Sequence, residues 1–264
     1  MMGNLESKYI AITGASSGIG RDMAIEVAKR RGTPILLARS YEKLEKLAEE
    51  IEQSTNQRPH FYTLDVTNED EVREVFEKIY KSVGTIDVLI NNAGFAIFDY
   101  VHEATVDEVK SMFDVNVFGA IACTKLVLPH MIKNGKGHVI FVASQAGKLA
   151  TPKSSGYSAT KHAVLGFANS LRMELADRDI KVSTVNPGPI KTPFFDLADK
   201  SGEYQKNVAR YMLQSDFVAK KTVDLIERPK RELNLPTWMN VGTKLYQLFP
   251  GLIEAVAGKQ FRKK

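Results

Sequence analysis

The chain has 264 residues, 44% of them hydrophobic and 25% charged, with a formal net charge of +5 and a single cysteine, Cys123. That much apolar material supports one large core, one cysteine excludes an internal disulfide framework, and so small a charge for the length favours solubility over nucleic-acid binding. With no charged-then-apolar leader and no run of about 18 apolar residues, neither a signal peptide nor a spanning helix is expected, and the chain reads as cytoplasmic.

Tyr9, Ile10, Ala11 and Ile12 form a short apolar run without helical periodicity, as in a strand buried on both faces of a parallel sheet. Gly14, Gly18 and Gly20 follow in a G-x-x-x-G-x-G spacing. Missing side chains there permit a sharp turn, close approach of backbone to a pyrophosphate, and tight packing of the next helix on the strand. A helix opening near Gly18 would aim free N–H groups at the phosphates. Its apolar face is Met23, Val27 and Ala28, and residues 34 to 38 read as a second strand.

Leu44, Leu47, Ala48 and Ile51 mark a helix over 41 to 53, and His60 to Leu64 a third strand closed by Asp65. A helix carrying Val72, Val75, Phe76 and Ile79 leads to strand four, Ile86 to Ile90. This strand runs into Asn91-Asn92-Ala93-Gly94, at the edge where open α/β sheets place ligands. One long helix is expected from Thr105 to His130, then a strand from Gly137 to Ala143 that delivers Ser144. A helix over 155 to 177, a strand from Ile180 to Val185 and the segment Asn186 to Thr192 follow. The alternation predicts one α/β domain over residues 1–264, a Rossmann-type doubly wound parallel sheet with helices on both faces.

Tyr157 and Lys161 lie four apart, so their side chains leave one helix face. An ammonium about 5 Å from a phenol at an effective dielectric near 20 is worth roughly 3 kcal/mol and lowers the phenol pKa by around two units. That makes a tyrosine a usable acid or base near neutral pH. Of the nine tyrosines only Tyr157 is followed by lysine at this offset, and Ser144 stands at a predicted strand end within reach across the sheet edge. The five histidines are scattered without metal-ligand spacing, so no metal site is expected.

Thr13 to Gly20, Asn91 to Gly94, Tyr157-Ser158-Ala159-Thr160-Lys161 and Asn186-Pro187-Gly188 with Thr192 together resemble the motifs of the short-chain dehydrogenase/reductase family in its roughly 250-residue form. They come in family order from residue 8 to about 195. The resemblance implies a catalytic set of Asn116, Ser144, Tyr157 and Lys161. Tyr157 would donate a proton to the substrate oxygen, Ser144 would hydrogen-bond that oxygen, Lys161 would hold the nicotinamide ribose, and Asn116 would fix a water that relays protons to Lys161. It further implies a cofactor site of Gly14, Ser16, Ser17, Gly18, Ile19, Gly20, Asn92, Ala93, Gly94, Tyr157 and Lys161. Asp65 and Val66 would line the adenine pocket, and Pro187, Gly188, Ile190 and Thr192 would meet the nicotinamide. The implied activity is interconversion of a carbonyl and an alcohol, and the implied assembly a homodimer or homotetramer. A catalytically idle NADP(H)-sensing or scaffold protein is the rival reading.

Strand two ends in Ala38-Arg39-Ser40, where an NAD-preferring site generally places an acid on the ribose 2′-OH. Arg39 can pair with a 2′-phosphate and Ser40 can donate to it, so NADP(H) is expected over NAD(H). Phe95, Ile97, Phe98, Leu149, Phe194 and Phe195 fall where a substrate pocket would form and lean toward an apolar carbonyl or alcohol.

Glu232 to Leu235 reads as a last strand, and residues 237–264 as a helical extension. Trp238, Val241, Leu245, Leu248, Phe249, Leu252 and Val256 recur there at helical spacing, with Gly242, Pro250 and Gly251 expected to split it into two short helices. Its apolar surface is too large for a free tail and precedes Lys259, Arg262, Lys263 and Lys264. Packing on a partner subunit, capping of the pocket and peripheral contact with an anionic membrane are the three readings.

Overall fold

The computed structural model describes residues 4–199 and 202–261. Its first half alternates strand and helix: β1 (Tyr9–Thr13), α1 (Gly18–Lys29), β2 (Thr33–Ala38), α2 (Tyr41–Thr55), β3 (His60–Thr63), α3 (Glu69–Val83) and β4 (Val88–Asn91). Then come α4 (Val106–Phe113), α5 (Ala120–Asn134), β5 (Gly137–Val142), α6 (Ser155–Glu174), β6 (Ile180–Pro187), β7 (Ile190–Lys191), α7 (Phe194–Ala198), α8 (Glu203–Val208) and β8 (Leu213–Gln214). The chain continues through α9 (Ser215–Glu227), β9 (Glu232–Leu235), α10 (Met239–Leu248) and α11 (Pro250–Phe261).

Seven strands form one sheet in the order β3-β2-β1-β4-β5-β6-β9, every neighbouring pair parallel. This is the doubly wound Rossmann-type α/β arrangement that the alternation predicts. Its strand order reverses between β1 and β4, and a crevice at their carboxyl ends follows from that reversal. One face of the sheet is covered by an apolar layer that includes Phe76, Val127, Phe141 and Leu171, the other by Met23, Val27, Ile51 and Val223.

The helix expected from Thr105 to His130 is interrupted. Residues Asp114–Gly119 form a π-helical turn between α4 and α5. A Cβ on Gly119 would stand 2.6 Å from Val66 Cγ2, so the extra residue lets the backbone press against the loop that follows β3. The apolar period is helical on both sides of the insertion, which hides it from periodicity. The stretch Val106–Asn134 is long and apolar enough by composition to cross a membrane, yet Cys123, Val127 and Met131 belong to the core beneath the sheet. The C-terminal segment also differs from expectation. Gly242 lies inside α10 without breaking it, since a glycine costs about 1 kcal/mol in a helix. The break falls at Phe249, and Pro250 opens α11 at the position where a missing N–H costs nothing. Arg262, Lys263 and Lys264 lie outside the described residues.

His138 on β5 gives the core a pH dependence. Its Nε2 is 2.8 Å from Ser183 Oγ, and Ser183 donates its own hydroxyl proton to Lys230 O at 2.6 Å. The ring nitrogen is therefore the donor in this pair. Burial lowers the His138 pKa from 6.5 to about 4. Between those values the unfolded chain binds the extra proton and the folded one does not, so stability falls as pH drops, by about 3 kcal/mol in all. Denaturant unfolding at pH 7 and pH 4 should show this loss, with His138→Gln removing that share of the slope.

Candidate active site

The glycine turn is locked to the end of β4. Gly14 and Gly18 have φ of 66° and 54°, in the left-handed region that favours glycine. A Cβ on Gly14 would come within 2.9 Å of Ala93 Cα. Thr13 Oγ1 accepts from the backbone N–H groups of Asn92 and Ala93 at 2.9 and 3.0 Å, while Asn92 Nδ2 donates to Thr13 O at 2.9 Å and Gly14 O at 3.2 Å. Ser17, at the N-cap of α1, makes no side-chain capping bond, so the first-turn N–H groups keep their donor capacity. Thr13 therefore organises the turn without being singled out by the motif spacing.

Ser144 leaves the end of β5 and opens a single 3-10 turn, its Oγ accepting from Ala146 N at 3.1 Å. Gln145 Nε2 donates to Asn186 O at 2.7 Å, and Lys148 Nζ is bound to Asn234 Oδ1 at 3.0 Å and to Glu232. These bonds tie the serine turn to β6 and β9. Opposite, α6 presents Tyr157 and Lys161, both buried. The Tyr157 phenol and Ser144 line the same cleft, and Lys161 Nζ stands 5.6 Å from the Tyr157 ring centre and donates to Val142 O at 3.0 Å.

The electrostatics differ from the simple two-charge expectation. Burial pushes the Tyr157 pKa well above that of an ordinary phenol, with the nearby Ser144 hydroxyl acting in the opposite direction. Burial also lowers the Lys161 pKa to about 8. Desolvation acts on both members and here exceeds the pairwise attraction that sequence spacing suggests.

Asn116, in the π turn, sits behind this wall. Its Oδ1 accepts from Phe95 N and its Nδ2 donates to Phe95 O, both at 2.9 Å, with a further bond to Thr160 Oγ1 at 3.1 Å. Thr160 Oγ1 donates in turn to Tyr157 O at 2.7 Å. The asparagine thus braces the loop after β4 against α6. Neither Thr160 nor the Gln145 and Lys148 anchors carries a spacing signal in the sequence.

These elements enclose a cleft of about 1480 Å³. Ser16, Ser17, Gly18, Ile19, Asp65, Val66, Gly94, Pro187, Gly188, Ile190 and Thr192 all line it, together with Gly14, Asn92, Ala93, Ser144, Tyr157 and Lys161. Gly20 does not; it packs behind the turn, where a Cβ would lie 2.2 Å from Gly14 O. At one end stand Arg39, Ser40 and Lys43. Arg39 is exposed and has no ion-pair partner among the described residues, and Ser40 caps α2 by accepting from Lys43 N at 3.5 Å. Lys43 was not anticipated; it reaches the cleft because α2 begins beside the end of β2.

The opposite end is apolar. Phe98 and Phe194 contact the Tyr157 ring with centroids 5.8 and 5.9 Å apart, and Phe95, Leu149 and Phe195 also line the wall. Ile97 does not line the cleft; it is half-buried against the cluster that includes Ala96 and Met112, and its backbone N–H meets Met112 Sδ at 3.3 Å. Tyr204, Trp238, Met239, Tyr246 and Ile253 complete the mouth, so α8, α10 and α11 lie over the cleft. Among the described residues no group of His, Cys, Asp and Glu could hold a metal ion.

A parallel sheet with a glycine turn under its switch-point crevice, and a serine–tyrosine–lysine cluster beside it, defines a Rossmann-type protein with a candidate oxidoreductase site. The short chain dehydrogenase family profile matches residues 8–201, and the chain belongs to that family. It is 38% identical over 194 residues to dehydrogenase/reductase SDR family member 7B of Xenopus tropicalis, covering 71% of this chain and 62% of that protein. The chain thus spans about three fifths of that relative's length. It is 38% identical over 195 residues to the NADP-dependent 3-hydroxy acid dehydrogenase of Schizosaccharomyces pombe, covering 73% and 75% of the two chains. The solved structure of ElxO with NADP bound has a TM-score of 0.78 at 32% identity, covering 86% of this chain and 96% of that one.

Proposed function

We propose that the protein is an NADP(H)-dependent oxidoreductase that interconverts an apolar ketone or aldehyde and the corresponding alcohol. The carrying observation is that Ser144, Tyr157 and Lys161 line one cleft at the carboxyl end of β5, with Lys161 Nζ 5.6 Å from the Tyr157 ring centre. The cradle fits a dinucleotide: Gly14 and Gly18, both in the left-handed region, form a tight turn that lines the cleft, and the uncapped start of α1 offers donors to a pyrophosphate. When bound, the nicotinamide supplies the hydride in reduction and takes it up in oxidation. Lys161 would hold the ribose with Tyr157 next to it, Pro187, Gly188, Ile190 and Thr192 would meet the nicotinamide, and Asp65 and Val66 would line the adenine pocket; all of them line the one cleft.

In reduction, Ser144 orients the carbonyl oxygen and Tyr157 gives it a proton; in oxidation, Tyr157 takes that proton back. Lys161, with its lowered pKa, returns a proton to the phenol side, and Asn116 positions that relay by holding the loop and α6 together. Residues 1–264 act as one cytoplasmic domain, with 237–264 as its helical extension, and the active form is a homo-oligomer.

Preference for NADP(H) rests on Arg39, Ser40 and Lys43 at the adenosine end, where no acid of β2 faces a 2′-phosphate. The name of the fission yeast relative and the ligand of the ElxO structure point the same way. A panel of ketones, aldehydes and quinones assayed for NADPH oxidation tests the activity. NADPH should give the higher kcat/KM, and Arg39→Asp should lower that value at least tenfold, about 1.4 kcal/mol, while NADH is affected little. No NADPH oxidation with any member of the panel would leave the idle-sensor reading in its place.

A further inference from the structure

Helices α10 and α11 use only one side to cover the cleft. Met239, Tyr246 and Ile253 line it, whereas Val241, Leu248, Phe249, Leu252 and Val256 face outward and are 63%, 70%, 55%, 63% and 78% exposed. Val241 and Leu248 lie seven apart on one face of α10, and Leu252 and Val256 lie four apart on α11. Trp238, at the start of α10, is 61% exposed and also lines the mouth, beside Tyr211 at a ring separation of 6.4 Å. Scattered surface leucines need no explanation, but a continuous outward row on two successive helices does.

Charge indicates what covers it. Residues 236–264 contain Lys244, Lys259, Arg262, Lys263 and Lys264 against one acid, Glu254, so they hold four of the chain's five excess positive charges. Glu254 is engaged, accepting from Tyr246 OH at 2.9 Å. A second copy using the same segment would bring two equal excesses of positive charge together. An anionic surface with an apolar interior complements both properties: exposed apolar side chains enter the acyl boundary, an aromatic residue sits at its edge, and lysines meet the headgroups.

We infer that the outward face of α10 and α11 docks on an anionic lipid bilayer, with the cleft mouth at Trp238 and Leu245 turned toward it. The site would then take apolar substrate partitioned into lipid; that part rests on the proposed carbonyl chemistry, whereas docking does not. The full chain should sediment with phosphatidylcholine/phosphatidylglycerol vesicles and not with phosphatidylcholine alone, and high salt should weaken binding about tenfold or more. Leu248→Ser/Leu252→Ser/Val256→Ser, none of which lines the cleft, should bind at least ~tenfold more weakly at unchanged Tm. Lys263→Glu/Lys264→Glu should lose the preference for the anionic lipid. Three results would each overturn the inference: the full chain stays in the supernatant with both vesicle types, the serine variant sediments as well as the unmodified chain, or it fails only in self-association, assigning the face to a second copy. Sedimentation reads no turnover, so an inactive but vesicle-bound protein would refute the carbonyl reading alone.

Discussion

Tyr157→Phe should lower turnover at least ~100-fold, the range expected for losing a general acid, while leaving fold and cofactor affinity nearly intact. The substitution removes one hydroxyl from a ring that keeps its contacts with Phe98 and Phe194. Lys161 stays in place, because its Nζ is anchored on Val142 O rather than on the phenol oxygen. Ser144 would still meet the substrate oxygen, so some rate above the uncatalysed one persists. Steady-state kcat, NADPH titration by fluorescence and thermal unfolding of the same preparation decide the matter. A folded Tyr157→Phe protein with near-normal kcat would show that another group moves the proton.

Gly20→Val should raise the Kd for NADPH at least tenfold and lower the Tm, although Gly20 lines no part of the cleft. Its Cβ would lie 2.2 Å from Gly14 O and 2.6 Å from Asn92 Nδ2. Backbone cannot yield as a flexible side chain would, so α1 must move away from β1 and the donor Asn92 must leave the turn. Overpacking of this kind costs about 1–3 kcal/mol, and the displaced helix start is the phosphate cradle itself. Calorimetric titration with NADPH measures the first effect and a melting curve the second. Unchanged affinity would mean that the turn is not the cofactor site.

The parallel sheet was legible in the sequence because its strands are short apolar runs ending at glycines, asparagines or serine, and its helices have clean stripes such as Val72, Val75, Phe76 and Ile79. Nearly all the candidate cofactor residues come together in one cleft because chain order and sheet topology oblige the loops after β1, β2, β3 and β4 to share an edge. What stayed hidden depends on contacts made in three dimensions. The π turn around Asn116 answers to Val66 and Phe95, far away in sequence. The contact of the Ile97 backbone with Met112, the Thr160 link and the Lys148 anchor likewise leave no periodic trace. The direction of the Tyr157 shift was missed because spacing reports the nearby charge but not the water stripped from both groups.

The family match ends at residue 201, whereas much of the cleft mouth is built later, by Tyr204, Tyr211, Trp238, Tyr246 and Ile253. The groups assigned to proton and hydride handling, with the apolar wall of Phe95, Phe98, Phe194 and Phe195, thus lie inside the matched stretch, while much of the mouth in front of them lies beyond it. A lineage can exchange its doorway, altering length, greasiness or charge after residue 201, and keep an intact reaction centre behind it. A change among the last sixty residues would therefore reshape the entrance alone, whereas one among the first two hundred could reach the entrance wall and Ser144, Tyr157 and Lys161 alike.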